Sequence, residues 1–217
     1  MKHVPLIWHK LVILMLLTAL GGLPYHWIQK IDFTKVFTMP LIMVDHLIPI
    51  NLHSVYIYHS WLLLPLLVVM LIPTWALLKR YSTAIFAVNA VSFLVFMCFP
   101  TEVPRPIDLT DAPRLYQLTV LVDEPTNACP SLHASVTTLC GCFMFVLLGR
   151  FRWNPLWRAM VIVWALGILW STLATGQHVC IDIVAGTLLG ALASGLALRD
   201  PRAPLWDWPD QSLEPTL

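Results

Sequence analysis

Apolar blocks separated by short polar breaks run through most of this chain. Blocks near 6–24, 55–78, 83–100, 131–149, 157–175 and 179–198 match the ~20 residues needed to cross ~30 Å of hydrocarbon at ~1.5 Å per residue. The pattern predicts an all-α polytopic membrane protein with six transmembrane helices, forming one embedded domain over 1–198. Between spans 1 and 2, the stretch from His26 to Ser54 is less apolar and carries Lys30, Asp32, Lys35, Asp45, His46 and His53. It reads as an interfacial helical segment with loops, lying on the bilayer rather than across it. Beyond the last span, residues 199–217 are rich in proline and acid and predict a loosely ordered cytoplasmic tail.

The first block follows "MKH", as a signal peptide would. Pro5, Trp8, His9 and Lys10 interrupt its start, and Gly21-Gly22 makes a poor cleavage site, so a retained helix is expected. Composition agrees with the pattern: hydrophobic residues make up 58% and charged residues 12%, with a mean hydropathy of +0.75. Soluble domains carry about 25% charged residues. A formal net charge of +1 gives no basic face for nucleic acid.

Placing both termini inside puts Lys2, Lys10, Lys79, Arg80, Arg150, Arg152, Arg158, Arg199 and Arg202 in the inner loops. Lys30, Lys35, Arg105 and Arg114 are left outside. The positive-inside rule favours this arrangement, which suits a bacterial inner membrane. Three polar stretches, "FPTEVPRP", "CPSLHAS" and "TGQHVCID", then share the extracytoplasmic rim, as one active site would require.

Two of these stretches carry chemistry. His178 and Asp182 are four apart, which on a helical turn places them on one face. A carboxylate at one imidazole nitrogen fixes the tautomer and aims the other nitrogen outward as nucleophile or base. Taken alone, the pair could equally be polar glue between helices. In "CPSLHAS", Pro130 suits a helix entry, and the free N–H groups of Ser131, Leu132 and His133 would make an anion site at the positive helix end. His133 can donate a proton to a departing oxygen. Arg105 offers a planar fork that matches phosphate, and Arg114 is a second candidate for phosphate contact. An anion pocket, an acid and an oriented nucleophile form a phosphoryl-transfer site.

These residues resemble the type 2 phosphatidic acid phosphatase superfamily of membrane lipid phosphatases and phosphotransferases. The matching pieces are Arg105-Pro106, Pro130-Ser131-Leu132-His133, and Ser171 with His178 and Asp182, over roughly residues 55–198. Cys98 stands where the first motif has lysine, Thr172 where the third has arginine, and Leu132 where the second has glycine. This variant pattern is closer to the inositol phosphorylceramide synthase-like branch. The resemblance implies a membrane lipid phosphate as substrate and a phosphohistidine on His178. Asp182 would hold that imidazole, His133 would serve as acid and then base, and Arg105, Arg114 and the amides of Ser131 and Leu132 would bind phosphate. No metal or other cofactor enters this scheme.

Three functions follow: a lipid phosphatase, a phosphotransferase passing a phospho-headgroup to a hydroxyl acceptor, and a non-catalytic carrier that binds a lipid headgroup. Among the five cysteines, Cys98, Cys140, Cys142 and Cys180 read as small hydrophobes in or beside spans. Cys129, near the outer face, has no evident partner. A zinc site of Cys180, His178 and Asp182 lacks the paired spacing of closed sites. Asn127 is expected to order the loop before "CPSLH", and Asp108 and Asp111 to be solvated loop charges. His26, His46, His53 and His59 read as interfacial ring residues, and Trp27, Trp61 and Tyr56 as an aromatic belt. Gly186, Gly190 and Gly195 are expected to allow close helix packing.

Overall fold

Six helices long and apolar enough to span a membrane make this an all-α, multi-pass integral membrane protein. The computed structural model describes residues 6–105 and 109–199. Pro106, Asp108, Lys2, Arg202 and the tail past residue 199 lie outside the described residues.

Helix α1 runs Leu6–Gln29, and span 2 follows after the segment that joins them. This span is broken: a 3-10 turn Leu52–Ser54, helix α3 Val55–His59, a second 3-10 turn Ser60–Leu62, and helix α4 Leu63–Leu71. Pro65 explains the second break, since it has no N–H to give the carbonyl four residues back and its ring crowds that carbonyl. Span 3 is α5, Trp75–Cys98, so the expected boundary between spans 2 and 3 was misplaced by several residues. Pro73 forces Ile72 into an extended conformation (ψ 122°), and the hydroxyl of Thr74 caps α5 by accepting from the Leu77 amide at 3.3 Å.

Lys79 and Arg80 therefore lie inside α5 rather than in a loop, and the Lys79 ammonium sits 5.8 Å from the Trp75 ring centre. Lys10 likewise belongs to α1, where its ammonium donates to the Met70 carbonyl at 2.6 Å. That carbonyl is in the last turn of α4, where the helix dipole favours a cation. Long basic side chains reach out from helix ends, which is why reading each charge as a loop misplaced them.

The expected interfacial helical segment with loops between spans 1 and 2 is mostly irregular chain. Only α2, Met43–Leu47, is helical between α1 and residue 52, because Pro40 and Pro49 bracket it. Strand β1, Phe37–Thr38, pairs in parallel with β2, Thr101–Glu102, and Glu102 bridges to Thr126. Three outer loops from distant parts of the sequence are thus laced by backbone bonds. A further helix, α6 Arg114–Val122, replaces the expected outer loop. It buries Tyr116 and Thr119 and is too short to span.

Spans 4 to 6 are α7 Leu132–Arg150, α8 Pro155–Ala174 and α9 Cys180–Leu198. Asn154 caps α8 from one residue before Pro155 at N1. The main core, including Leu78, Tyr81, Leu139, Phe143 and Leu147, lies between α4, α5 and α7. Helices in lipid gain little from apolar burial and depend on close packing. The α7–α9 pair shows it: a Cβ on Gly186 would stand 2.3 Å from the Ser131 carbonyl oxygen, and one on Gly190 would stand 2.2 Å from that of Ser135. Gly195 does not share this role, since a Cβ there meets nothing within 4 Å.

Candidate active site

The end of α8 nearest His178 stops at a glycine. Gly176 adopts φ 67°, its amide donates to Leu173 at 2.9 Å, and the Gln177 amide donates to Thr172 at 3.2 Å. This is a Schellman ending, which favours a residue without a side chain at the left-handed position. His178 follows at once, and its amide also donates to the Thr172 carbonyl at 3.2 Å. The histidine is therefore fixed to the end of α8 before α9 begins at Cys180.

The expected reading of His178 and Asp182 on one helical turn is thus corrected, since His178 precedes the helix. Asp182, in the first turn of α9, reaches back instead. Its Oδ2 accepts from the Val179 amide at 3.2 Å and lies 3.4 Å from Nδ1 of His178. A carboxylate there also faces the positive end of α9. Asp182 is fully buried and its Oδ1 has no partner.

At the neighbouring helix, Ser131 is the N-cap of α7, its Oγ accepting from the Ala134 amide at 3.2 Å. Pro130 therefore stands one residue outside the helix rather than at its entry. The Ser131 amide donates to the Asp182 carbonyl at 3.0 Å, so it is not open to an anion as expected. The amides of Leu132 and His133 are left as donors of the first turn. This Ser131–Asp182 bond ties the start of α7 to the start of α9 and brings two imidazoles together: the ring centres of His133 and His178 are 5.7 Å apart, at 60°.

His133 has neighbours that its sequence position did not announce. The Tyr58 hydroxyl lies 2.7 Å from its Nε2, and Trp61 meets it edge-on at 5.1 Å. Trp61 is therefore part of the site wall rather than of an aromatic belt, whereas Trp27 and Tyr56 are exposed as a belt would be. His59, expected at the interface, is hydrogen-bonded to Thr119 at 2.7 Å. An aromatic residue in an apolar span reads as packing, and nothing local marks its contact with a histidine 75 positions away.

The fork of Arg105 is already engaged. It donates to the carbonyls of Asp123 and Glu124 and sits 3.6 Å from the Asp123 carboxylate. Asp123 also accepts from Tyr25 at 2.8 Å and from Gln29 at 2.7 Å. Nε of Arg105 is buried without a partner. Arg114 stands exposed in the first turn of α6, with no described contact to either histidine.

Gln177 is buried beside Tyr116, and neither atom of its amide makes a hydrogen bond of normal geometry. The Tyr116 hydroxyl itself donates to the Thr175 carbonyl at 2.9 Å. Buried polar groups left open cost about 1–3 kcal/mol each. Those of Arg105, Gln177 and Asp182 are gathered on the outer loops and helix ends that carry the histidines.

Among the described residues, no three His, Cys, Asp or Glu side chains converge to hold a metal ion. The Cys180 amide instead donates to Asp45 Oδ1 at 2.7 Å. Burial and the Asp182 carboxylate push the Cys129 thiol up to about 11, so it stays protonated at neutral pH. Asn127 does order its loop: it is buried at φ 59°, a conformation that asparagine tolerates, and donates to the Tyr25 carbonyl at 3.4 Å.

The model of the PAP2 superfamily matches residues 77–205. The chain belongs to the PAP2 superfamily. No curated protein and no solved structure matches it. Membership brings phosphoesterase or phosphotransferase chemistry on lipid phosphates. Within this PAP2 chain, the two positions that lack the expected cations differ in kind. Cys98 is exposed at the end of α5. Thr172 is buried, its hydroxyl donating to the Leu169 carbonyl at 2.6 Å, while its own carbonyl holds the backbone of Gln177 and His178.

Proposed function

We propose that this chain is a lipid phosphate phosphatase that works through a phosphohistidine at the extracytoplasmic face of the membrane. The observation that carries the reading is the His133–His178 ring separation of 5.7 Å with Asp182 behind His178. Asp182 at Nδ1 leaves Nε2, on the far edge of the ring, for phosphorus. The Nε2 lone pair attacks, the bond from phosphorus to the lipid oxygen breaks, and His133 gives that oxygen its proton. Water then attacks the phosphohistidine, its proton passes to His133, and the phosphorus–nitrogen bond breaks to release phosphate.

The amides of Leu132 and His133 and the open Nε of Arg105 are the donors for the developing charge on the equatorial oxygens in this reading. The open amide of Gln177 supplies a further donor beside the nucleophile. Arg114, exposed on α6, is a headgroup contact at most.

The test is phosphate release from a long-chain alkyl phosphate, together with trapping of acid-labile label on the protein. Wild type releases phosphate and carries label. His178→Ala inserts normally, loses at least about 10³-fold in turnover and takes no label. Near-native turnover by His178→Ala overturns the assignment. A dependence of turnover on an added alcohol, with phosphoester product, would make the reaction transfer instead of hydrolysis.

A further inference from the structure

A cavity of about 390 Å³ lies between α1, α4, α5 and α7. At its outer end it is lined by Tyr58, His59, Asp123 and His133. Its inner end reaches Leu14 on α1 and Tyr81 on α5. From Leu14 to His26, both on its wall, α1 rises ~18 Å, against a half-bilayer of ~15 Å of hydrocarbon.

We infer that this cavity seats one hydrocarbon tail of the phosphate ester, lying along the bilayer normal with its headgroup at His133; the inference rests on the phosphatase reading of that site. Four observations point to this occupant. The cavity reaches His133, whose ring centre is 5.7 Å from that of His178, so a molecule that fills it presents its end to the proposed acid. Its walls grade from ionisable groups outside to leucine, isoleucine and tyrosine inside, the gradient of a lipid. Its wall along α1 is ~18 Å long, close to one leaflet of hydrocarbon, as a tail lying along the bilayer normal requires.

Its polar wall groups, finally, are satisfied from within. Thr18 donates to the Leu14 carbonyl at 2.9 Å and Asn89 to that of Ile85 at 2.9 Å, so the inner wall asks nothing polar of its guest. The space itself comes from Gly21 and Gly22. A Cβ on Gly22 meets nothing within 4 Å, and one on Gly21 would press on Asn89 Oδ1 at 3.3 Å. Membrane proteins pack their helices closely, so a slot of this size held open at a catalytic residue fits a ligand better than a packing fault.

The test uses the full chain in detergent with hexadecyl phosphate bearing a photoreactive diazirine near the end of its tail. Crosslinks on lining positions such as Leu14, Leu17 or Ile85, displaced by unlabelled hexadecyl phosphate, are the expected result. Crosslinks confined to outward positions such as Met15, Leu16, Leu20 or Phe86 overturn it. So does labelling by a photoreactive hexadecanol that hexadecyl phosphate fails to displace, which would mark a bulk bilayer chain only.

In parallel, Ile85→Trp narrows the slot. It is expected to lower kcat/KM for hexadecyl phosphate at least tenfold more than for butyl phosphate, and Gly22→Leu provides the same comparison should the tryptophan variant not fold. An equal fall on both esters, or none on either, overturns the inference. The readouts separate the two claims. Displaceable crosslinks on the lining without phosphate release leave the tail slot and remove the phosphatase. Phosphate release with crosslinks only on outward faces does the reverse.

Discussion

Tyr58 sets the state of His133 through one contact. With its hydroxyl 2.7 Å from Nε2, it engages one nitrogen of the ring, and the proposed acid, which must both give and regain a proton, needs that choice made in advance. Replacing Tyr58 by Phe keeps the ring and its packing and removes only this bond. The expected result is a fall of roughly tenfold in kcat, ~1.4 kcal/mol, with little change in KM. Steady-state kinetics on a long-chain alkyl phosphate read it, and an unchanged kcat would make the tyrosine a packing residue. At this scale the sequence announces His133, His178 and Asp182 by residue type and spacing. Tyr58 and Gln177 stay silent, because their meaning depends on partners brought near by the fold. Arg105 was visible as a cation, but its engagement with Asp123 was not.

The element that holds the site together is the α7–α9 contact. Because Gly186 faces the Ser131 carbonyl with no room for a methyl, Gly186→Ala must push the two helix starts apart. That strains the Ser131–Asp182 bond and widens the gap between the imidazoles. Overpacking of this kind costs about 1–3 kcal/mol. A lower melting temperature in detergent and at least a tenfold loss of turnover are expected, measured side by side. Turnover that survives the substitution would show that the ring spacing is not set there. All six spans were legible as elements, since length and apolarity alone mark them. Their ends were less so. Lys10 in α1 and Lys79 in α5 imitate loops, and the prolines at 40 and 49 confine the helical segment that charge and apolarity suggested to α2. The short α6 escaped because its nine residues sit among polar loop signals.

For the whole molecule, six spans place the start of α1 and the end of α9 on one side and the histidines on the other. The inner ends carry Lys10, Lys79, Arg80 and Arg158, and positive charge favours the cytoplasmic side. An alkaline phosphatase reporter, active only after export, is expected to be silent when fused after Leu217 and active when inserted after Asp111. The opposite pattern would turn the site toward the cytosol. Charge predicts this orientation from the sequence alone, whereas the cavity beside His133 could not be read there, since it depends on which helices become neighbours.

The lacing of the outer loops carries a consequence of its own. Main-chain pairs such as Phe37 with Thr101, and the bridge of Glu102 to Thr126, do not depend on the identity of the side chains they join. A roof built this way keeps its shape while the residues it shows to the outside change. What the protein admits and how it reacts are therefore separable properties, and the first can be altered without retuning the second.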